Sequence, residues 1–198
     1  ADLNNDGVIN NLDRVKVGNL FPTVTGGFST TLGYKDFSLY ARFDYALGHT
    51  LYNDLAARSL GQYQGSFNII DMVKDSWSET NQNTDIPKFY YADQLSKKNI
   101  TRSNNGLTAV DNNSSRFYEK GDYLALREIT LTWNLPKKWI NKALMSNASV
   151  YVTGQNLFYI TGYTGVSPEP AVDTTYGQGL DNGRYPTKTV LLGLSVTF

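Results

Sequence analysis

Five stretches of the chain alternate apolar and polar residues with the period of two that marks β-strands. Phe28, Thr30, Leu32 and Tyr34 alternate with Ser29, Thr31 and Gly33. Next, Phe37, Leu39, Ala41, Phe43, Tyr45 and Leu47 share one face, and Ser38, Tyr40, Arg42 and Asp44 share the other. Only Lys35 and Asp36 separate these two strands, which predicts a tight hairpin over 28–47. A third strand at about 123–135 sets Ile129, Leu131, Trp133 and Leu135 against Glu128, Thr130, Thr132 and Asn134. Leu124 and Leu126 fall out of that phase, which predicts a bulge or a section beyond the bilayer. Pro136 ends the strand, and 137–147 reads as a short connection with one helical turn. The fourth strand, 148–160, opens with Val150 and Val152 against Ser149, Tyr151 and Thr153, then loses phase at Gly154-Gln155-Asn156. The fifth, 187–198, puts Val190, Leu192, Leu194, Val196 and Phe198 on one side. Thr189, Leu191, Gly193, Ser195 and Thr197 take the other.

That last strand carries no charge after Lys188. In water, such an apolar edge strand invites aggregation. In a closed barrel the edges are paired and lipid accepts the apolar face. The expected class is therefore all-β, with about five strands belonging to a transmembrane barrel. The connections point the same way. Those after strands one and three are short, whereas 48–122 and 161–186 are long, the asymmetry of barrels with long loops outside and short turns in the periplasm. Counting back from a periplasmic carboxy terminus places 1–27 outside as well. Single-chain barrels start at about 8 strands, so the chain reads as part of a longer polypeptide. It opens on Ala1 inside a motif, with no signal peptide in view. The competing reading is a soluble, calcium-clipped β-module for adhesion or scaffolding.

Composition narrows the function. Eighteen basic residues balance 18 acidic ones, which gives no electrostatic case for nucleic acid. Cysteine is absent, so disulfides and thiolate metal sites are excluded. No enzyme is expected. His49 is the only histidine and reads as a polar rim residue at the end of strand two. Gly26-Gly27 precedes a strand, not the helix that a phosphate loop needs. Asp122 and Glu128 read as lumen or loop groups.

One motif does carry chemistry. Asp2 to Asp13 (DLNNDGVINNLD) follows the calcium-loop pattern. Asp2, Asn4 and Asp6 supply oxygens at its first, third and fifth positions, and Gly7 supplies the sharp turn. Val8 offers a backbone carbonyl, Asn10 can act through water, and Asp13 closes the loop. Calcium is a hard cation that wants several oxygens in a flexible cage, so the spacing suits it. The competing reading is an Asx-rich turn held by its own backbone bonds. With no second copy in the chain, a structural clip is the expected role.

In the long connection, Tyr52, Tyr63, Phe67, Trp77, Phe89, Tyr90 and Tyr91 lie among amides and hydroxyls. They suit lid docking, loop packing or direct stacking on sugars. Tyr123, Trp133, Trp139, Tyr159 and Tyr185 sit near strand ends, where an interfacial aromatic girdle is expected.

In this order, DLNNDGVINNLDRVKVGNLFP with its hairpin, RFYEKGDYLALREITLTWNLPKKW (116–139), VYVTGQNLFYITGYTGVSPE (150–169) and Tyr185-Pro186 resemble the carboxy-terminal part of SusC/RagA-type TonB-dependent transporters. The resemblance covers nearly the whole chain apart from about 52–115. It implies a barrel of about 22 strands filled by an amino-terminal plug that this chain lacks. TonB would act through that absent part, and a SusD-type surface lipoprotein would close over the top. The cargo would be glycans or oligopeptides, and the setting the outer membrane of a Gram-negative, Bacteroidetes-like bacterium. Gly193, Val196 and Phe198 fit the terminal assembly signal of such barrels, whereas Leu191 stands where that signal often has a polar residue.

Overall fold

The computed structural model describes residues 3–7, 11–57, 71–86, 88–89, 115–173, 178–181 and 186–198. The strands among them, in chain order, are β1 (Val24–Tyr34), β2 (Phe37–Leu47), β3 (Thr50–Tyr52), β4 (Tyr118–Lys120), β5 (Tyr123–Asn134), β6 (Asn147–Thr161), β7 (Pro170–Asp173), β8 (Gln178–Asp181) and β9 (Thr189–Thr197). Two short helices, α1 (Asp54–Ala57) and α2 (Lys137–Ile140), accompany them. The chain divides into two compact units. One comprises 21–49, 121–163 and 184–198, and the other 1–20, 50–120 and 164–183.

The first unit is a five-stranded antiparallel sheet in the order β1-β2-β5-β6-β9. These are the five strands the alternation predicts, except that β1 starts at Val24 rather than Phe28. Gly26 and Gly27 therefore lie inside β1 rather than before it. Lys35 turns the β1–β2 hairpin at φ 53°. The register aligns side chains in rows. Leu32, Leu39, Leu131, Val152 and Leu192 follow one another across all five strands. The next row towards the hairpin turn is Tyr34, Phe37, Trp133, Val150 and Leu194. One face of the sheet is thus apolar from edge to edge. It is also bare: Leu192 is 80% exposed, Val190 72% and Leu32 61%. Ser38, Arg42, Glu128, Thr130, Thr153 and Ser195 occupy the opposite face.

The expected bulge is real. Arg42 pairs with Glu128 and Phe43 with Leu126, which leaves Arg127 as an extra residue on β5. Opposite it on β6, the pairing jumps from Gln155 to Phe158, and Asn156 adopts a left-handed φ of 51°. The bulge restores phase: Leu124 and Leu126 rejoin the apolar face that Ile129 and Leu131 occupy. At the hairpin end, Phe37 stacks on Trp133 with centroids 6.0 Å apart, and Trp139 meets Trp133 edge-on at 5.8 Å. Trp133 and Trp139, two of the residues expected in the girdle, thus pack together at this end of the sheet. Beyond α2, the backbone N–H of Ser146 donates to the Thr197 carbonyl at 2.7 Å and fixes the end of β9.

The second unit replaces what alternation reads as two long loops. β3, β4, β7 and β8 form a sheet in the order β4-β3-β8-β7, drawn from both connections. Strands of three or four residues are too short to show a period, which is why the sequence reads them as loop. Tyr52, Val73, Ile86 and Phe117 form its core, with Ala56, Phe89 and Tyr118 packed against them.

Candidate functional site

On the polar face of the large sheet, the bulge turns Arg127 into a cluster. Its Nε donates to Asp44 Oδ2, its Nη1 donates to the Tyr159 hydroxyl at 3.1 Å, and its guanidinium lies 5.6 Å from the Tyr159 ring centre. The Arg127 side chain is 15% exposed. A guanidinium that buried needs both a counter-charge and hydrogen-bond acceptors, and this pair supplies them. Tyr159 in turn meets Tyr123 edge-on at 5.6 Å, and Tyr123 meets His49 at 6.2 Å. Tyr123 and Tyr159 therefore pack on the polar face and do not join the aromatic girdle. Tyr185 lies outside the described residues.

His49 corrects its sequence reading too. It is 1% exposed, not a rim residue. Its ring lies over Gly121, where a Cβ would fall 2.3 Å from Nε2, and its carbonyl accepts from the Gly121 N–H at 2.9 Å. Asp122 and Glu128 also have local partners. Asp122 Oδ1 accepts from the Gly48 N–H at 2.6 Å, and Glu128 Oε1 accepts from the Thr130 hydroxyl at 3.3 Å. Neither arrangement pairs a general acid with a general base.

Beside the cluster, β1 and β2 form an open groove lined by Gly27, Phe28, Ser29, Arg42, Phe43 and Asp44. Gly27 pairs with Asp44 and Ser29 with Arg42. Only glycine fits at 27, because a Cβ there would lie 2.8 Å from the Phe43 carbonyl oxygen.

In the second unit, Asn53 is buried and bridges three segments. Its Nδ2 donates to Glu119 Oε1 at 3.0 Å and to Thr164 Oγ1 at 3.3 Å, while its Oδ1 caps the Ala56 N–H at 3.0 Å. Both carboxylate oxygens of Glu119 also lie within reach of the Thr164 hydroxyl, at 2.8 and 2.9 Å. The network ties Asn53, Glu119 and Thr164 to one another. Of the loop aromatics, Tyr52 is buried and Phe89 packs on the core, so neither is a ligand platform. Trp77 stays accessible, with Lys88 Nζ 5.7 Å from its ring centre. Tyr63, Phe67, Tyr90 and Tyr91 lie outside the described residues.

Of the calcium-loop positions, Asn4, Asp6 and Asp13 are described, whereas Asp2, Val8 and Asn10 lie outside the described residues. Asp13 Oδ1 accepts from the Leu3 N–H at 2.7 Å, which brings the closing carboxylate back to the start of the loop. Asn4 Oδ1 accepts from the Asp6 N–H at 3.1 Å, and Asn4 Nδ2 donates to Asp6 Oδ2 at 2.9 Å. Gly7 takes a φ of 81°, as the sharp turn requires. Among the described residues, no three acidic or imidazole groups gather at one point.

The relatives of this sequence decide between a membrane wall and a soluble module. No family model matches the chain. It is 32% identical over 205 residues to TonB-dependent receptor P3 of Formosa agariphila, an alignment that covers 100% of this chain and 18% of that receptor. TonB-dependent receptor P26 of the same organism matches equally at 32%, with 19% of its length covered. The RagAB peptide transporter superposes with a TM-score of 0.66 and 25% identity, over 90% of this chain and 18% of that one. The chain belongs to the SusC/RagA-type TonB-dependent receptors. It spans under a fifth of the length of the receptors it matches. Like the receptors it matches, this segment is all-β and not an enzyme. Alternation alone missed Arg127 and Tyr159 as a pair. Their signal was the phase slip, read as a bulge but not as the device that aims Arg127.

Proposed function

We propose that the large sheet is a stretch of wall in an outer-membrane TonB-dependent importer. The observation that carries this is its unbroken, exposed apolar face opposite a polar one. Water penalises such a face at roughly 25 cal/mol per Å², whereas lipid removes the penalty. The remainder of the receptor closes the barrel, at about 22 strands, and pairs the edge strands β1 and β9, which leaves no open ladder. The polar face then lines the lumen. Lys35-Asp36 and the α2 connection form periplasmic turns, and the second unit is extracellular. TonB acts through the amino-terminal part, a SusD-type lipoprotein covers the outer mouth, and the cargo is an oligosaccharide or an oligopeptide. Gly193, Val196 and Phe198 serve as the assembly signal. The test is uptake of fluorescent oligosaccharide and oligopeptide mixtures by cells carrying the intact receptor. Uptake of one of them should require both the receptor and TonB. Identical uptake after deletion of the receptor gene would remove the proposal.

Calcium clips the first loop in this reading. The fold-back of Asp13 to Leu3 and the turn at Gly7 support it, because they bring the two ends of the oxygen-rich segment together. Asp2, Asn4, Asp6, the Val8 carbonyl, Asn10 and Asp13 would hold the ion, and its role is to rigidify the loop. Calorimetry of the intact receptor should show calcium binding that Asp6→Ala or Asp13→Ala weakens at least about tenfold, since each removes a charged ligand. Equal binding by wild type and both variants would leave only an Asx turn.

A further inference from the structure

We propose that the groove between β1 and β2 is a carboxylate-binding site centred on Arg42. The proposal rests on the import reading, in which this face lines the lumen. The charges around the groove single out one group. Asp44 is held by Arg127 through its Oδ2. Glu128 pairs in register with Arg42 but belongs to β5, on the side of β2 away from the groove, and its Oε1 accepts from Thr130. Arg42 is exposed and forms no ion pair with any described residue. Of the two described cations on this face at that height, Arg127 is paired with Asp44, and Arg42 has no ion-pair partner among the described residues.

The groove suits an anion with two oxygens. Glycine at 27 keeps the β1 rim of the groove free of a side chain, because a Cβ there would meet the Phe43 carbonyl oxygen. Ser29, the cross-strand partner of Arg42, brings a hydroxyl to the same face. Arginine presents a planar fork that matches a carboxylate bidentately, and a neighbouring hydroxyl can donate to it as well. A neutral sugar ring has no such group. The carboxylate can come from an oligopeptide, at its carboxy terminus or on an acidic side chain, or from a uronate of an acidic oligosaccharide, and the experiment separates the peptide from the uronate.

The intact receptor, purified with its partner lipoprotein, is titrated with four probes. Two are a mixture of casein tryptic peptides and the same mixture amidated at its carboxyl groups. The others are oligogalacturonate and its methyl ester. Arg42→Gln should weaken binding of one carboxylated probe roughly tenfold, the scale of a lost charge-assisted pair, and leave its neutralised form unaffected. Arg42→Lys should fall between, because it keeps the charge and loses the fork. A loss confined to peptides identifies a peptide carboxylate, and a loss confined to oligogalacturonate identifies the uronate. Heat-modifiable migration on gels reports folding of each variant. If Arg42→Gln does not fold, the Arg42→Lys comparison between each acid and its neutral form decides. Equal affinities of wild type and folded variants for all four probes overturn the site. TonB-dependent uptake by cells carrying the wild type or a variant is measured in parallel. Uptake that persists in the variants sinks the site alone, whereas no receptor-dependent uptake of any probe sinks the import reading with it.

Discussion

Replacing Leu192 by arginine should destabilise the membrane-inserted receptor by about 2–4 kcal/mol, the cost of a cation facing lipid near the bilayer midplane. Leu192 ends the row that runs from Leu32 through Leu39, Leu131 and Val152, and it is 80% exposed. The same substitution has a far smaller effect in water. There, an exposed leucine exchanged for arginine changes stability by no more than about 0.5 kcal/mol and improves solubility. Ser195→Arg provides the internal control, because Ser195 is exposed on the polar face of the same strand. It should leave stability near wild type. Urea titration of the receptor refolded in phospholipid vesicles measures both. Equal, small effects of the two substitutions would mean that the apolar face does not meet lipid.

The large sheet was legible because its strands are long. Eleven residues in β2 hold enough periods to fix both its limits and its face, and a two-residue turn leaves no freedom in the pairing that follows. The register breaks were legible as lost phase, since a bulge must shift the alternation by one residue. What that shift does to Arg127 was not legible. The destination of its side chain depends on Asp44 and Tyr159, two strands that lie 83 and 32 residues away. Burial followed the same rule. His49 and Tyr52 have no local pattern to mark them as interior; each is buried by a partner from a distant segment, Gly121 for the first and Phe117 for the second. β3, β4, β7 and β8 escaped because a strand of three or four residues acquires meaning only from the neighbours it pairs with. In the calcium-type loop, the spacing was plain from the residues, and the contact from Leu3 to Asp13 adds closure that spacing alone does not give.

Gly193→Ala should cost about 1–3 kcal/mol, in the range for overpacking a filled position, and most of that cost should vanish when Tyr151 is shortened. Gly193 pairs directly with Tyr151 on the polar face. A Cβ on residue 193 would lie 2.1 Å from Tyr151 Cζ and 2.4 Å from its hydroxyl oxygen. The ring therefore occupies the space that a side chain would take, an aromatic cover over a strand glycine. This contact also fixes register. A one-residue slip of β9 would carry Leu192 and Leu194 to the polar face and bring Leu192 or Leu194 under the ring in place of Gly193. A double-mutant cycle separates this role from that of Gly193 in the terminal assembly signal. If the ring sets the requirement, Gly193→Ala added to Tyr151→Ala costs far less than it does alone, and the two substitutions are strongly non-additive. If the assembly signal sets it, Gly193→Ala lowers the amount of receptor inserted by the same factor with or without the tyrosine ring. Urea midpoints of the refolded receptor report the first quantity and heat-modifiable receptor in outer membranes the second. Additive urea midpoints would rule out the ring as the reason for glycine at 193.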